Sequence, residues 1–170
     1  MNAEQLRALQ APLKEHYRQD PASALLTLEA RGRLDIDALT CRIETGKGRV
    51  EAGLHPATGG DGTAACSGDM LLEALAGCAG VTLTAVATAL GIKINGGTVN
   101  VEGDLDFRGT LGTAKDAPVG FKDIRLHFDL DTDASREQLA TLFKLTERYC
   151  VVFQTLKNGP DIEISHNVRQ

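Results

Sequence analysis

The residues of this sequence best suited to chemistry are two cysteines, Cys78 and Cys150, which lie in helix-like segments of opposite character. Cys78 lies in a stretch, 70–83, that is apolar on nearly every side. Cys150 lies in 142–153, which has one apolar face and one charged face. Two packed helices of this kind can hold a reactive thiol beside the thiol that resolves its oxidised form. The pair therefore indicates thiol redox chemistry.

A reactive Cys78 needs help from other groups. The nucleophile is the thiolate, a free cysteine has a pKa of about 8.5, and apolar burial raises that pKa. Cys78 lies too far inside its helix to use the field of the helix N-terminus, which fades within one turn. We therefore expect a cation from upstream, with Asp69 orienting it. The favoured candidates are Arg49 and His55, followed by Arg31 and Arg33.

Other chemistry is disfavoured by the same residues. Buried free cysteines usually behave as small hydrophobic residues, so a purely structural two-cysteine core stays open. Cys41 and Cys66 lie on a predicted strand and loop and are weaker candidates. No Cys-x-x-Cys pair occurs and the four histidines lack ligand spacing, so no metal is expected. The Gly-rich segment 58–62 lacks the Lys-Ser/Thr of a phosphate loop, and no bound cofactor is expected either.

Length and composition limit the class of protein. The 170 residues, 42% apolar and 24% charged, suit one domain or one protomer of an intertwined dimer. A net charge of -5 and the absence of a basic tract argue against binding to nucleic acid or membrane surfaces. The N-terminus lacks the pattern of a secretory signal, and four scattered cysteines are typical of the reducing cytoplasm. The apolar stretch 74–90 is better explained as a buried helix than as a membrane span.

The first half of the chain reads as a helix followed by short strands. Apolar residues at helical spacing predict an amphipathic helix over 3–18, ended by Asp20 and Pro21. Alternation then predicts three strands, separated by a turn over 31–35 and a turn over 46–48. The alternating residues are Leu26, Leu28 and Ala30; Leu39, Cys41 and Ile43; and Val50 and Ala52. The segment 55–68 is predicted to be a Gly/Thr-rich loop.

The second half carries the two cysteine helices. The first is predicted over 69–90, enclosed by protein on most sides and stopped by Gly91. Long strands over 98–108 and 121–131 follow, joined by a flexible loop. Ser135 and Gln138 form a capping-box pattern that opens the second helix, which 158–160 closes. Its apolar stripe places Cys150 inward, and Ile162 and Ile164 predict a last strand. The fold class is therefore α+β, with antiparallel strands around two central cysteine-bearing helices.

At these two segments the chain resembles the OsmC/Ohr family of thiol peroxidases. The matching pieces are 69–78 (DMLLEALAGC) and 147–156 (ERYCVVFQTL), and the order of elements agrees over about 24–168. We therefore expect an N-terminal helical extension, 1–22, and an OsmC-like domain, 23–170. The resemblance implies an intertwined homodimer with both cysteine helices at the interface.

The resemblance also implies roles for individual residues. Cys78 falls on the peroxidatic cysteine of the family and Cys150 on its resolving cysteine, while Asp69 falls near the acid that orients the catalytic arginine. Three departures mark a divergent branch. Val151 stands where the family commonly has proline, the acid is aspartate rather than the usual glutamate, and no arginine stands at an unambiguous match.

The sequence thus predicts a cytoplasmic, homodimeric, antioxidant peroxidase of the stress response, which reduces organic hydroperoxides. The resemblance suggests an external dithiol reductant, such as a lipoyl group. We expect the substrate pocket to be lined by Leu71, Leu75, Leu142, Phe143 and Phe153. The alternative is a non-catalytic OsmC-fold protein that binds a small apolar ligand at the dimer interface.

Overall fold

Helices and strands intermix along the chain in the computed structural model, which describes residues 1–45 and 48–168. Two short 3₁₀ helices, Pro21–Ala24 and Pro56–Thr58, lie between the main elements. The main elements are α1 (Ala3–Gln19), β1 (Arg31–Asp35), β2 (Thr40–Thr45), β3 (Gly48–Gly53), β4 (Ala65–Cys66), α2 (Ser67–Leu90), β5 (Gly96–Asp104), α3 (Phe107–Thr110), β6 (Asp123–Asp131), α4 (Arg136–Tyr149) and α5 (Val151–Lys157). The predicted α+β class is confirmed.

The first sheet has the order β1-β2-β3-β4, antiparallel except for the parallel pair β3 and β4. The predicted strand over 26–30 is wrong, because Leu26 and Leu28 are exposed and no strand of the described residues pairs with that segment to complete its hydrogen bonds. β1 instead occupies 31–35, where a turn was predicted, and it pairs with β2. The predicted loop over 55–68 contains a 3₁₀ turn, β4 and the start of α2. The predicted turn at Gly46 and Lys47 lies outside the described residues.

The second sheet consists of β5 and β6, paired antiparallel along nine residues each. Alternate residues of β6 point inward, and Phe128 and Leu126 lie opposite Val99 and Val101. The predicted continuation of β5 to Arg108 is wrong. Asp106 accepts a hydrogen bond from the Arg108 backbone N–H at 3.1 Å and starts α3 there. The inner face of this sheet packs against α2.

Helix α2 ends as predicted at Gly91, whose φ of 70° is the left-handed conformation that glycine adopts readily. Its buried residues recur every fourth position: Leu75, Ala79, Leu83 and Ala87. The opposite face is open in a single chain, and Val81 is 71% exposed. The prediction that protein encloses this helix on most sides is therefore not met within one chain. Among the described residues, α2 is the one helix long and apolar enough to span a membrane. The core helices of soluble proteins can have the same length and apolar composition.

The C-terminal helices pack on α2, and the chain after them is irregular. The predicted capping box at Ser135 and Gln138 is confirmed, with the Gln138 N–H donating to Ser135 Oγ at 3.2 Å. The predicted last strand is wrong for this chain, because residues 158–168 pair with no strand in the part of the chain that the structure describes, and Ile162 and Ile164 are 84% and 92% exposed. The interior consists of two clusters, one around Leu83 and Leu142 and one around Leu75 and Cys150.

Candidate functional site

The second cysteine lies at a break between two helices, where the sequence predicts one continuous helix. Cys150 adopts φ -73° and ψ 108°, so it is extended and ends α4 while it starts α5. Its N–H still donates to the Thr146 carbonyl at 3.0 Å, and its own carbonyl accepts from the Gln154 N–H at 2.9 Å. The first N–H groups of α5 therefore have no helical acceptor of their own. They are free to donate to the thiols.

Cys150 itself is buried, as its apolar stripe predicts. Only 1% of the residue is exposed, and it packs with Leu75 and Ala79 of α2, with Cys78 at the edge of the same cluster. Cys78 is half-buried. The fold thus brings together two thiols that are separated by more than seventy residues in the chain.

Hydrogen bonds favour the ionised form of Cys78. Burial raises the pKa of this thiol, but donors outweigh burial and bring the pKa below its ordinary value. The donors, in order of effect, are the Val152 backbone N–H, the Cys150 thiol, the Val151 backbone N–H and the Thr82 side chain. A thiolate that accepts several hydrogen bonds is stabilised relative to the neutral thiol. Cys78 is therefore more readily ionised than a thiol with the ordinary pKa.

The pKa of the Cys150 thiol shifts in the opposite direction, so its protonated form is favoured. Burial raises its pKa, and its hydrogen bond to Cys78 and the negative charge there raise it further. The backbone N–H groups of Phe153 and Val152 oppose this shift but do not cancel it. The pKa values of the two thiols thus shift in opposite directions, lowered at Cys78 and raised at Cys150, and a thiolate beside a protonated thiol is an arrangement that suits thiol redox chemistry.

The cations expected from the sequence lie elsewhere in this chain. Arg49 lies on β3, opposite Glu44 of β2. The His55 ring stacks on Phe107 at a centroid distance of 4.7 Å, and its Nδ1 accepts the Ala57 N–H at 3.0 Å. Among the described residues, no hydrogen bond or ion pair joins either side chain to Cys78.

The remaining expected residues also lie apart from the thiols. Asp69 lies exposed in the first turn of α2, more than two helical turns before Cys78. Arg31 and Arg33 lie on β1, where Arg33 pairs with Glu44 at 3.1 Å. One chain therefore brings together Cys78 and Cys150 but not the basic candidates.

The two glycines near Cys78, Gly77 and Gly80, face different parts of the structure. A Cβ at Gly80 would lie 3.4 Å from the Val99 side chain, so Gly80 faces the second sheet. A Cβ at Gly77 would meet nothing within 4 Å, so Gly77 faces the open side of α2. Of these two glycines, Gly80 therefore lies close to a neighbouring element of the described structure and Gly77 does not.

A cavity of about 590 Å³ opens beside the thiol pair. Its wall includes Leu75, Phe143 and Phe153, as the sequence predicts. Leu71 and Leu142 do not line it, because Leu71 lies on the exposed face of α2 and Leu142 is fully buried in the other core cluster. The other lining residues come from α2, α4, the helix break, α5, β6 and the segment before β6, and they combine apolar side chains with four charged ones: Ala79, Phe121, Lys122, Asp123, Ile124, Leu126, Phe128, Thr146, Glu147, Cys150, Leu156 and Lys157. Cys150 therefore faces this cavity, whereas Cys78 is not part of its wall.

Sequence reasoning missed Thr82 and the N–H groups of Val151 and Val152. Thr82 lies four residues after Cys78, a spacing that puts both side chains on one helix face, so its position could have been found. The helix break at Cys150 is harder to recognise in the sequence. Proline favours the first position of a helix, and the family pattern has proline where this chain has Val151.

Comparison with known proteins identifies the family. A model of the OsmC-like protein family matches residues 60–165, more than half of the chain. The chain belongs to the OsmC-like family, as the resemblance predicts. Among curated proteins, no significant match to the chain was found.

Solved structures share the fold at low sequence identity. An OsmC-like protein from Mycoplasma pneumoniae is 19% identical, with a TM-score of 0.66, over 79% of this chain and 89% of that one. An organic hydroperoxide resistance protein from Legionella pneumophila is 19% identical, with a TM-score of 0.60, over 79% and 91%. Another from Elizabethkingia anophelis is 16% identical, with a TM-score of 0.61, over 79% and 91%. These likenesses establish the fold.

Proposed function

We propose that the protein is a thiol-dependent peroxidase that reduces organic hydroperoxides. The single observation that carries this proposal is the hydrogen-bonded pair of Cys78, with a lowered pKa, and Cys150, with a raised one. Membership of the OsmC-like family supports a role in redox chemistry or hydroperoxide resistance. The Legionella and Elizabethkingia relatives are described as organic hydroperoxide resistance proteins.

The reaction begins at Cys78. Its thiolate attacks the distal oxygen of the hydroperoxide, the O–O bond breaks, and the alkoxide takes a proton and leaves as an alcohol. Cys78 is then a sulfenic acid. The Cys150 sulfur attacks this sulfur, a disulfide forms, and water leaves. Two electrons from an external dithiol, such as a lipoyl group, restore both thiols and complete the cycle.

The proposal places both sites in a homodimer in the cytoplasm, where reducing partners keep thiols available. The open apolar side of α2, with Leu71 and Val81 exposed, supports a second copy that covers it. An obligate interface buries more than ~2,000 Å². Since, among the described residues of one chain, no hydrogen bond or ion pair joins Arg49, His55 or Asp69 to Cys78, we propose that they assist it across this interface. Alanine variants of the three should then slow peroxide reduction.

The substrate is proposed to be a bulky apolar hydroperoxide. Each methylene group that leaves water contributes up to ~0.8 kcal/mol. Several carbons could therefore favour cumene hydroperoxide over hydrogen peroxide by about a hundredfold in kcat/KM. Equal rate constants for cumene, tert-butyl and hydrogen peroxide would remove the argument for an apolar preference.

The test of the function uses single cysteine variants. Cys78→Ser should lose peroxide consumption entirely, whereas Cys150→Ser should consume one equivalent and leave Cys78 as a sulfenic acid, which dimedone labels. Cys66→Ser is the matched control and should keep parent activity, because Cys66 lies at the start of α2, outside the pair. Equal activity in Cys78→Ser and the parent would end the peroxidase proposal.

The second candidate is a non-catalytic protein that binds a small apolar ligand. The cavity of about 590 Å³ favours it, since its size lies within the range typical of ligand sites. Thiol titration separates the two candidates. Loss of two thiols per chain after a slight excess of cumene hydroperoxide supports the enzyme, and unchanged thiols favour the binder.

A further inference from the structure

The helix break at Cys150 leaves a backbone carbonyl that needs a new donor. In an unbroken helix the Val151 N–H would donate to the carbonyl of Glu147, four residues earlier. Here the Val151 N–H donates to Cys78 instead. The Glu147 carbonyl accepts a hydrogen bond from Gln154 Nε2 at 2.8 Å. The side chain of Gln154 therefore occupies the acceptor that the Val151 N–H has left.

We propose that Gln154 is a positioning residue, whose side chain holds the Glu147 carbonyl and so keeps the Val151 N–H directed at Cys78. The inference rests on the proposed function, in which Cys78 is the nucleophile. It adds a residue that acts on Cys78 through the backbone at the start of α5.

The side-chain amide of Gln154 is fixed in the orientation that this role needs. Its Oε1 accepts from Asn158 Nδ2 at 3.0 Å, so Nε2 is the end that faces the Glu147 carbonyl. The backbone N–H of Gln154 donates to the Cys150 carbonyl at 2.9 Å. One residue thus bonds both to the last turn of α4 and to the residue at the break.

A second contact joins the same two helices but cannot serve this role. Lys157 Nζ pairs with Glu147 Oε1 at 2.7 Å, and both side chains are about half exposed. An exposed ion pair contributes little to stability, and this pair engages the carboxylate rather than the backbone carbonyl. The Gln154 amide is therefore the group that competes with the Val151 N–H for that carbonyl.

Loss of the amide would change the donors of Cys78. The Glu147 carbonyl would be left without its partner near the end of α4, and an unpaired backbone carbonyl favours the return of the Val151 N–H. Continuation of α4 in this way would draw the Val151 N–H, and the Val152 N–H after it, away from Cys78. The Cys78 thiolate would lose hydrogen bonds and form at higher pH.

Alkylation of Cys78 by iodoacetamide across pH tests the role of Gln154. The protein carries Cys41→Ala and Cys66→Ala, and the modified peptide is identified by mass. Gln154→Met keeps the length of the side chain but cannot donate a hydrogen bond. We expect it to react about three- to tenfold more slowly than the parent at pH 7 and to approach the parent rate at high pH. Gln19→Met is the control, because it removes an amide that bonds to Glu15 within α1.

Proline at position 151 gives the second arm of the test, because it has no N–H that could return to Glu147. Proline favours the first position of a helix, which Val151 occupies with its side chain exposed. Val151→Pro removes one donor and should by itself slow alkylation at pH 7. Addition of Gln154→Met should then slow it by less than about twofold more, whereas independent effects would multiply.

Three results would each overturn the inference. They are a parent rate in Gln154→Met at pH 7, an equal slowing of Gln154→Met at every pH, and multiplied effects in the double variant. The assay uses no peroxide, so any of these results leaves the peroxidase proposal standing. That proposal fails separately, if Cys78→Ser consumes hydroperoxide as fast as the parent.

Discussion

Replacement of Thr82 by valine should make Cys78 less reactive without changing the shape of the site. Valine keeps the branched side chain but cannot donate a hydrogen bond, so the Cys78 thiolate would lose one of its four donors. A hydrogen bond to a charged acceptor contributes about 1.5 kcal/mol. At ~1.4 kcal/mol per factor of ten, the thiolate population at neutral pH should fall by up to about tenfold.

The assay is alkylation of Cys78 by iodoacetamide across pH, in a Cys41→Ala/Cys66→Ala background with the modified peptide identified by mass. Thr82→Val should react up to about tenfold more slowly than the parent at pH 7 and approach the parent rate at high pH, where both thiols are ionised. Thr82→Ser should restore the rate. Thr84→Val is the matched control, because Thr84 Oγ1 bonds only to carbonyls of its own helix, at 2.9 and 3.1 Å. Equal rates for Thr82→Val and the parent at pH 7 would refute the reasoning.

Three further outcomes are expected. In a Cys41→Ala/Cys66→Ala background, the thiolate absorbance should rise in two steps, with Cys78 ionising below and Cys150 above the pH of an ordinary thiol. A single step at the ordinary pH would count against the pair. Light scattering should give twice the chain mass of 18.1 kDa for the parent. Val81→Glu places a charge on the open face of α2 and should give the mass of a monomer. A monomeric parent would contradict the proposed homodimer. In urea unfolding, Leu142→Ala should lower the free energy of unfolding by ~2–5 kcal/mol, because the Leu142 side chain is fully buried. Leu111→Ala, at an exposed position, should change it by no more than ~0.5 kcal/mol. Equal effects of the two substitutions would contradict this core.

The helices that carry the thiols could be predicted from the sequence because their signals are local. The apolar run before Gly91 and the capping box at Ser135 and Gln138 mark their ends, and the structure has both. Inward placement of Cys150 also follows from the spacing of its apolar neighbours. These features need no knowledge of distant contacts.

The errors arose where distant parts of the chain decide the outcome. Alternation at Leu26 and Leu28 predicts a strand, but a strand exists only where a second strand completes its hydrogen bonds, and the neighbouring segment 31–35 has that partner. Ile162 and Ile164 show the same alternation, but none of the described strands pairs with their segment. The Val151 and Val152 N–H donors to Cys78 were missed because a helix break at Cys150 creates them, and Val151 gives little sign of that break.

The central claim is that Cys78 and Cys150 form one redox pair, and a stoichiometric titration tests it most directly. The reduced Cys41→Ala/Cys66→Ala protein is treated with one equivalent of cumene hydroperoxide per chain, and thiols, alcohol product and peptide masses are measured. The expected result is loss of both thiols, one equivalent of cumyl alcohol and a Cys78–Cys150 bridge. Two intact thiols beside unconsumed hydroperoxide would contradict the claim.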